Sequence, residues 1–170
     1  MTGLYAWPAS TELTKALLAR EFSILHPDSV ARKATECNPQ LVAFLVPAVP
    51  ESVRTARLHV RAALGPNQLS ELADDAETIT SELVTNAIQH ACRSGTETVG
   101  VILLRMRSPE AVAVVVTDPS AEGPAKHEPS HHSDHGRGLL IVDELSVWWG
   151  WNPGDGGKAV YAILAKRAGA

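Results

Sequence analysis

Two cysteines, Cys37 and Cys92, are all that this 170-residue chain contains. They are too few for a disulfide framework, and they lack the Cys-x-x-Cys spacing of zinc or dithiol redox sites. Reduced thiols in a cytoplasmic protein are the expectation. A surplus of positive charge is also missing: the formal net charge is -4 and no stretch gathers Lys and Arg into a stripe. This excludes direct nucleic-acid binding as the main activity. The seven His add positive charge only under acidic conditions. Long hydrophobic runs are absent too. The longest, at residues 41–50, is interrupted by Pro47 and Pro50 and is too short to cross a bilayer. Residues 1–27 lack the basic start, apolar stretch and small-residue cleavage site of a secretory signal.

What remains is ordinary globular material, 45% hydrophobic and 20% charged, so the chain is expected to fold. Its length suits one domain with an N-terminal extension. We place the extension at residues 1–40, the domain at 41–166 and a short tail at 167–170. Within the extension, Leu13, Leu17, Leu18, Phe22 and Leu25 recur at helical spacing after Ser10, which predicts one amphipathic helix over residues 11–25. A proline-containing linker follows.

The domain opens with an apolar strand at 41–46. A helix over 53–64 follows, with Pro50 near its start and Gly65-Pro66 at its end. Leu69, Leu72, Ala76, Ile79 and Leu83 predict a second, longer helix over 68–91. Residues 98–106 and 112–117 read as an antiparallel pair. Residues 118–135 are rich in Pro, Ser, Gly, His and charge, and form a long loop of the kind that is usually functional or disordered. A short helix at 138–145 and two strands at 146–151 and 158–166 complete the pattern.

On the long helix, 100° per residue places Asn86 roughly 50° and Glu82 roughly 90° from the centre of the apolar stripe. The two therefore share one flank, at the border between core and solvent. A carboxylate and an amide oxygen held there suit a hard cation such as Mg²⁺, or a proton-accepting role for the carboxylate. Taken alone, Glu-x-x-x-Asn is more often just a pair of solvated helix residues. Asp118 ends a row of valines and can project from a rigid sheet, although Asp-Pro is also an everyday turn start. Gly136-Arg137-Gly138 brings backbone N–H groups, a helix start and a cation together, which suits phosphate, but a lone Gly-x-Gly also serves as a hinge.

Together these segments resemble the GHKL superfamily of gyrase, heat-shock chaperone, histidine kinase and mismatch-repair ATPases. Residues 82–91, Glu-Leu-Val-Thr-Asn-Ala-Ile-Gln-His-Ala, resemble its N box. Val116-Thr-Asp118-Pro-Ser120 resembles the first glycine box as altered in anti-sigma-factor serine kinases. Residues 136–146, then Trp149-Gly150 and 157–161, look like the second box and closing strands of that branch. The likeness runs from about residue 42 to 164. No Gly-x-Gly follows Asp118, and Asp134-His135 stands where that branch commonly carries Glu.

The resemblance implies a two-layer α/β (α+β) sandwich, with a mixed, mostly antiparallel sheet covered on one face by helices and an ATP lid loop. It implies ATP and Mg²⁺ as cofactors, with Asn86 on the metal and Glu82 as catalytic base. Asp118 would receive the adenine amino group, and Gly136, Arg137 and Gly138 would meet phosphate, with Arg137 offering charge to the transferred group. Gln89, His90 and Lys158 would line the pocket. The implied activity is protein serine/threonine kinase action on a small anti-sigma-antagonist protein, with a sigma factor as a further partner and homodimerisation left open. The alternatives are a regulator that binds a partner without phosphorylating it and the catalytic domain of a histidine kinase. His26 is the single His of residues 1–40, and no two-helix dimerisation segment is evident there. His127, His131, His132 and His135 with Asp134 invite a Zn²⁺ or Ni²⁺ site, but nothing nearby would fix their geometry and a polar lid explains them. Asp143 and Glu144 read as a solvated helix face, and Trp148, Trp149 and Trp151 as sheet packing or a partner surface.

Overall fold

A computed structural model describes residues 41–65, 69–92, 97–106, 111–124, 137–154 and 157–166. The predicted helix at 11–25, Gly136, the four loop histidines and Asp134 lie outside the described residues.

Five strands form one sheet: β1 (Leu41–Pro47), β2 (Thr98–Met106), β3 (Ala111–Asp118), β4 (Trp148–Gly154) and β5 (Gly157–Ala165). Their order is β1-β2-β3-β5-β4 and every pairing is antiparallel. The sheet expected to be mixed is thus antiparallel throughout among the described strands. After β3 the chain crosses to the far edge, lays down β4, and returns as β5 between β3 and β4.

The helices are α1 (Glu51–Leu64), α2 (Ala73–Asn86) and α3 (Gly138–Leu145). In α1 the buried residues Ser52, Ala56, Val60 and Leu64 recur every four positions, and Glu51 suits the positive end of the first turn. In α2, Ala76, Ile79, Thr80 and Val84 are fully buried. The Thr80 hydroxyl is satisfied within the helix, donating to the Ala76 carbonyl at 2.7 Å. Side chains of all three helices share one core with Val99, Val101, Val112, Val114, Val116 and other strand residues that face them. Arg61 of α1 pairs with Glu77 and Asp74 of α2, and Arg57 reaches Glu77 at 3.6 Å. The Glu77 carboxylate, followed by Asp74, pushes the Arg61 guanidinium further above its ordinary range.

The predicted helix over 68–91 is three consecutive pieces: a 3-10 turn (Ser70–Leu72), α2 and a π-helical turn (Ala87–Ala91). The Cys92 N–H bonds the Ala87 carbonyl five residues back at 3.2 Å, the widened spacing of a π turn. Periodicity marks helix existence well but not a one-residue widening of its last turn. Among the described residues, no helix is long and apolar enough to cross a membrane.

Candidate functional site

Strand alternation positions the first part of the site. Val112, Val114 and Val116 face the helices, and period two carries Asp118 onto the same row. Lys158 occupies the matching place on β5, below Val160, Ala162 and Leu164, and is the register partner of Asp118. Lys158 Nζ donates to Asp118 Oδ1 at 2.8 Å, and their side chains are only 7% and 2% exposed. The Ser120 N–H donates to the same oxygen at 2.9 Å, closing a turn at the strand end. Both bonds fall on Oδ1 rather than Oδ2. Gly157 makes the close approach feasible: a Cβ there would lie 2.0 Å from the Asp118 carbonyl oxygen. The sequence marks Gly157 as the start of a closing-strand motif, but its contact with the Asp118 backbone depends on strand register.

Helix α2 supplies the second part. Glu82 and Asn86 are both half-buried, one turn apart, on the flank predicted for them. The start of α3 packs against that flank. A Cβ on Gly138 would stand 2.5 Å from Glu82 Oε2 and 3.6 Å from Asn86 Nδ2. The absence of a side chain at Gly138 therefore lets a helix start, with its free N–H groups, approach the carboxylate and the amide. Burial holds the Glu82 carboxyl above the ordinary carboxylate range. Arg137, directly before α3, is exposed, and its carbonyl accepts from the Ile141 N–H at 3.0 Å.

The π turn links the two parts. It packs against β3, and Gln89 and His90 on it are exposed. Cys92 at its end has a thiol raised above its usual range by burial, then by Glu97 and Asp118, with Lys158 acting the other way. The structure thus joins Glu82, Asn86 and Gly138 in one cluster and Asp118 with Lys158 in another. Asp143 and Glu144 are exposed as expected, but Asp143 also accepts a bond from Trp149 Nε1 at 2.6 Å, tying α3 to β4.

A family model described as "Histidine kinase-like ATPase domain" matches residues 46–164. The chain belongs to that family. Its membership places the chain in the GHKL superfamily and assigns it ATP binding. Among solved structures, the chain is similar to the histidine kinase domain from the Erythrobacter litoralis EL346 blue-light activated histidine kinase, at 20% identity and a TM-score of 0.41. That match covers 71% of this chain and 61% of the other, so the chain spans under two thirds of that domain's length. No curated protein sequence matches significantly.

For this histidine kinase-like ATPase domain the donor set fits Mg²⁺. The Asn86 amide oxygen is a hard donor beside the Glu82 carboxylate, and Mg²⁺ is normally held by only one or two protein groups alongside phosphate. When bound, the ion neutralises charge on the phosphates.

Three outcomes follow from this geometry. Gly138→Ala is expected to fold, because the nearest atom is the movable end of Glu82, yet to displace that carboxylate and weaken Mg²⁺-ATP binding by about tenfold or more in calorimetry. Lys158→Met leaves a buried carboxylate unpaired and is expected to cost about 3–5 kcal/mol in denaturant unfolding, most of it restored by adding Asp118→Leu. Because the Glu82 pKa is raised on folding, its contribution to stability is fully present below the unfolded value and is lost as pH rises through the folded one. Glu82→Gln should accordingly raise the nucleotide-free Tm at pH 8, with the gain disappearing below about pH 4.

Proposed function

We propose that this domain is an ATP- and Mg²⁺-dependent serine/threonine protein kinase of the anti-sigma-factor type, acting on a small antagonist protein and also binding a sigma factor. The observation that carries the reading is the Glu82–Gly138 contact, which sets a carboxylate of raised proton affinity at the start of a helix preceded by Arg137. In the transfer, a substrate hydroxyl oxygen bonds to the γ-phosphorus while the bond to the β–γ bridging oxygen breaks. ADP leaves, and the hydroxyl proton passes to Glu82. A carboxylate whose affinity for protons is raised serves better as that acceptor. The α3 N–H groups and Arg137 stabilise the charge spread over the transferred group, so catalysis is mainly placement and electrostatics. Asp118 Oδ2 receives the adenine amino group, and Gln89 and His90 border the pocket from the π turn. A serine or threonine product fits this arrangement, because a carboxylate base has a hydroxyl proton to remove.

One observation bears on the non-catalytic alternative. The Asp118–Lys158 pair is internally neutral, which a regulator that senses nucleotide, or holds its partner without it, and transfers no phosphate would equally tolerate.

Calorimetry with ATP and Mg²⁺ separates the readings, since only a nucleotide-independent regulator gives neither heat nor thermal stabilisation. The partner is identified by affinity capture with ATP or ADP present. Transfer of labelled γ-phosphate to it is then expected, stable to acid and labile to alkali, and lost in Glu82→Ala and Asn86→Ala. Absence of transfer with the captured partner would remove the kinase claim and leave nucleotide binding standing.

A further inference from the structure

The face of the sheet turned away from the helices is a second apolar core whose cover is not among the described elements. Ile102, Leu104, Ala113, Val115, Tyr161 and Ile163 lie on this face and are only 2–7% exposed. The cluster draws its members from strands alone, including Ala43 at one edge and Trp148 at the other, while α1, α2 and α3 all belong to the opposite core. Side chains on a bare sheet face stand in solvent, so burial to this degree demands another layer of chain.

We infer that residues 1–40 supply this layer, with the amphipathic helix predicted over 11–25 laid across the outer face of the sheet. This segment joins the domain at Leu41, the first residue of edge strand β1, and so enters the sheet from its side. A 15-residue helix is about 22 Å long, close to the about 20 Å between the outer strands of a five-stranded sheet. The linker of residues 26–40 can extend up to about 50 Å, enough to reach any point of the face. Leu13, Leu17, Leu18, Phe22 and Leu25 match it chemically: a purely aliphatic and aromatic stripe meets a face with no charged member. The domain is then three layers deep, helices, sheet and N-terminal segment, and the nucleotide site and the covered face lie on opposite sides of one sheet.

The full chain tests this with a benzophenone photo-crosslinker at Leu18. Illumination is expected to give a product of monomer mass whose crosslinked peptides come from residues 98–118 or 157–165. A product of twice the monomer mass would show instead that a second copy covers the face. Crosslinks confined to residues 51–91 would put the segment on the helix layer. Either result overturns the inference. As a second measurement, Leu18→Asp should raise the fluorescence of an apolar-surface dye by at least about twofold and lower the Tm, while Ser23→Asp, on the opposite side of the predicted helix, changes neither. Equal behaviour of the two variants also overturns it. Nucleotide affinity does not enter any of these readouts, so they stand apart from the kinase assignment.

Discussion

The buried pair of Asp118 and Lys158 is the constraint around which one end of this domain is arranged. A carboxylate sealed from water to within 2% of its surface is tolerable only with a partner of opposite charge and good hydrogen-bond geometry. Both conditions are met because β3 and β5 are neighbours in register, and because Gly157 lets the start of β5 close on the Asp118 backbone. The rows above the pair are wholly apolar: valines on β3, then Val160, Ala162 and Leu164 on β5. Polar groups are therefore concentrated at one end of the sheet, where the π turn of the long helix passes over them. A fixed, buried charge pair at the edge of an apolar core results.

Helix α2 carries two demands at once. One side of it is buried against the sheet through Ala76, Ile79, Leu83 and Val84, and this rigidity is what lets Glu82 and Asn86 hold a position at the flank. The same burial raises the affinity of Glu82 for its proton and makes the ionised carboxylate costly in the folded protein. The fold thus gives up some stability at neutral pH at this position. Gly138 completes the arrangement by what it lacks. A side chain there would occupy the space of the Glu82 carboxylate, so α3 could not bring its N-terminal N–H groups as near.

Much of this arrangement is legible in the order of the residues. The spacing of Leu69, Leu72, Ala76, Ile79 and Leu83 marks helix α2, and helical geometry then gives Glu82 and Asn86 their shared flank. The strands show as runs of valine, isoleucine and leucine. Those runs hold a further message: central strands apolar on both faces, such as Ala111–Asp118, belong to a sheet covered on both sides. A helix layer on one face accounts for only half of that pattern. The π turn, the 3-10 entry to α2 and the purely antiparallel pairing are not legible, because each depends on hydrogen bonds that many compositions can make.

Local chemistry, then, was settled by the sequence itself: which segments are helices and strands, which flank of α2 is polar, and which short boxes mark an ATP-binding domain. These follow from periodicity and residue type, which act over a few neighbouring positions. Only the tertiary structure decided who meets whom. That Lys158 is the counter-ion of Asp118, forty residues away, follows from strand register. That Gly138 rests on the Glu82 carboxylate follows from the packing of α3 on α2, and that Asp143 holds Trp149 follows from the meeting of α3 and β4. Such contacts are products of chain closure across the whole domain, and no local pattern in the sequence encodes a distance between segments so far apart.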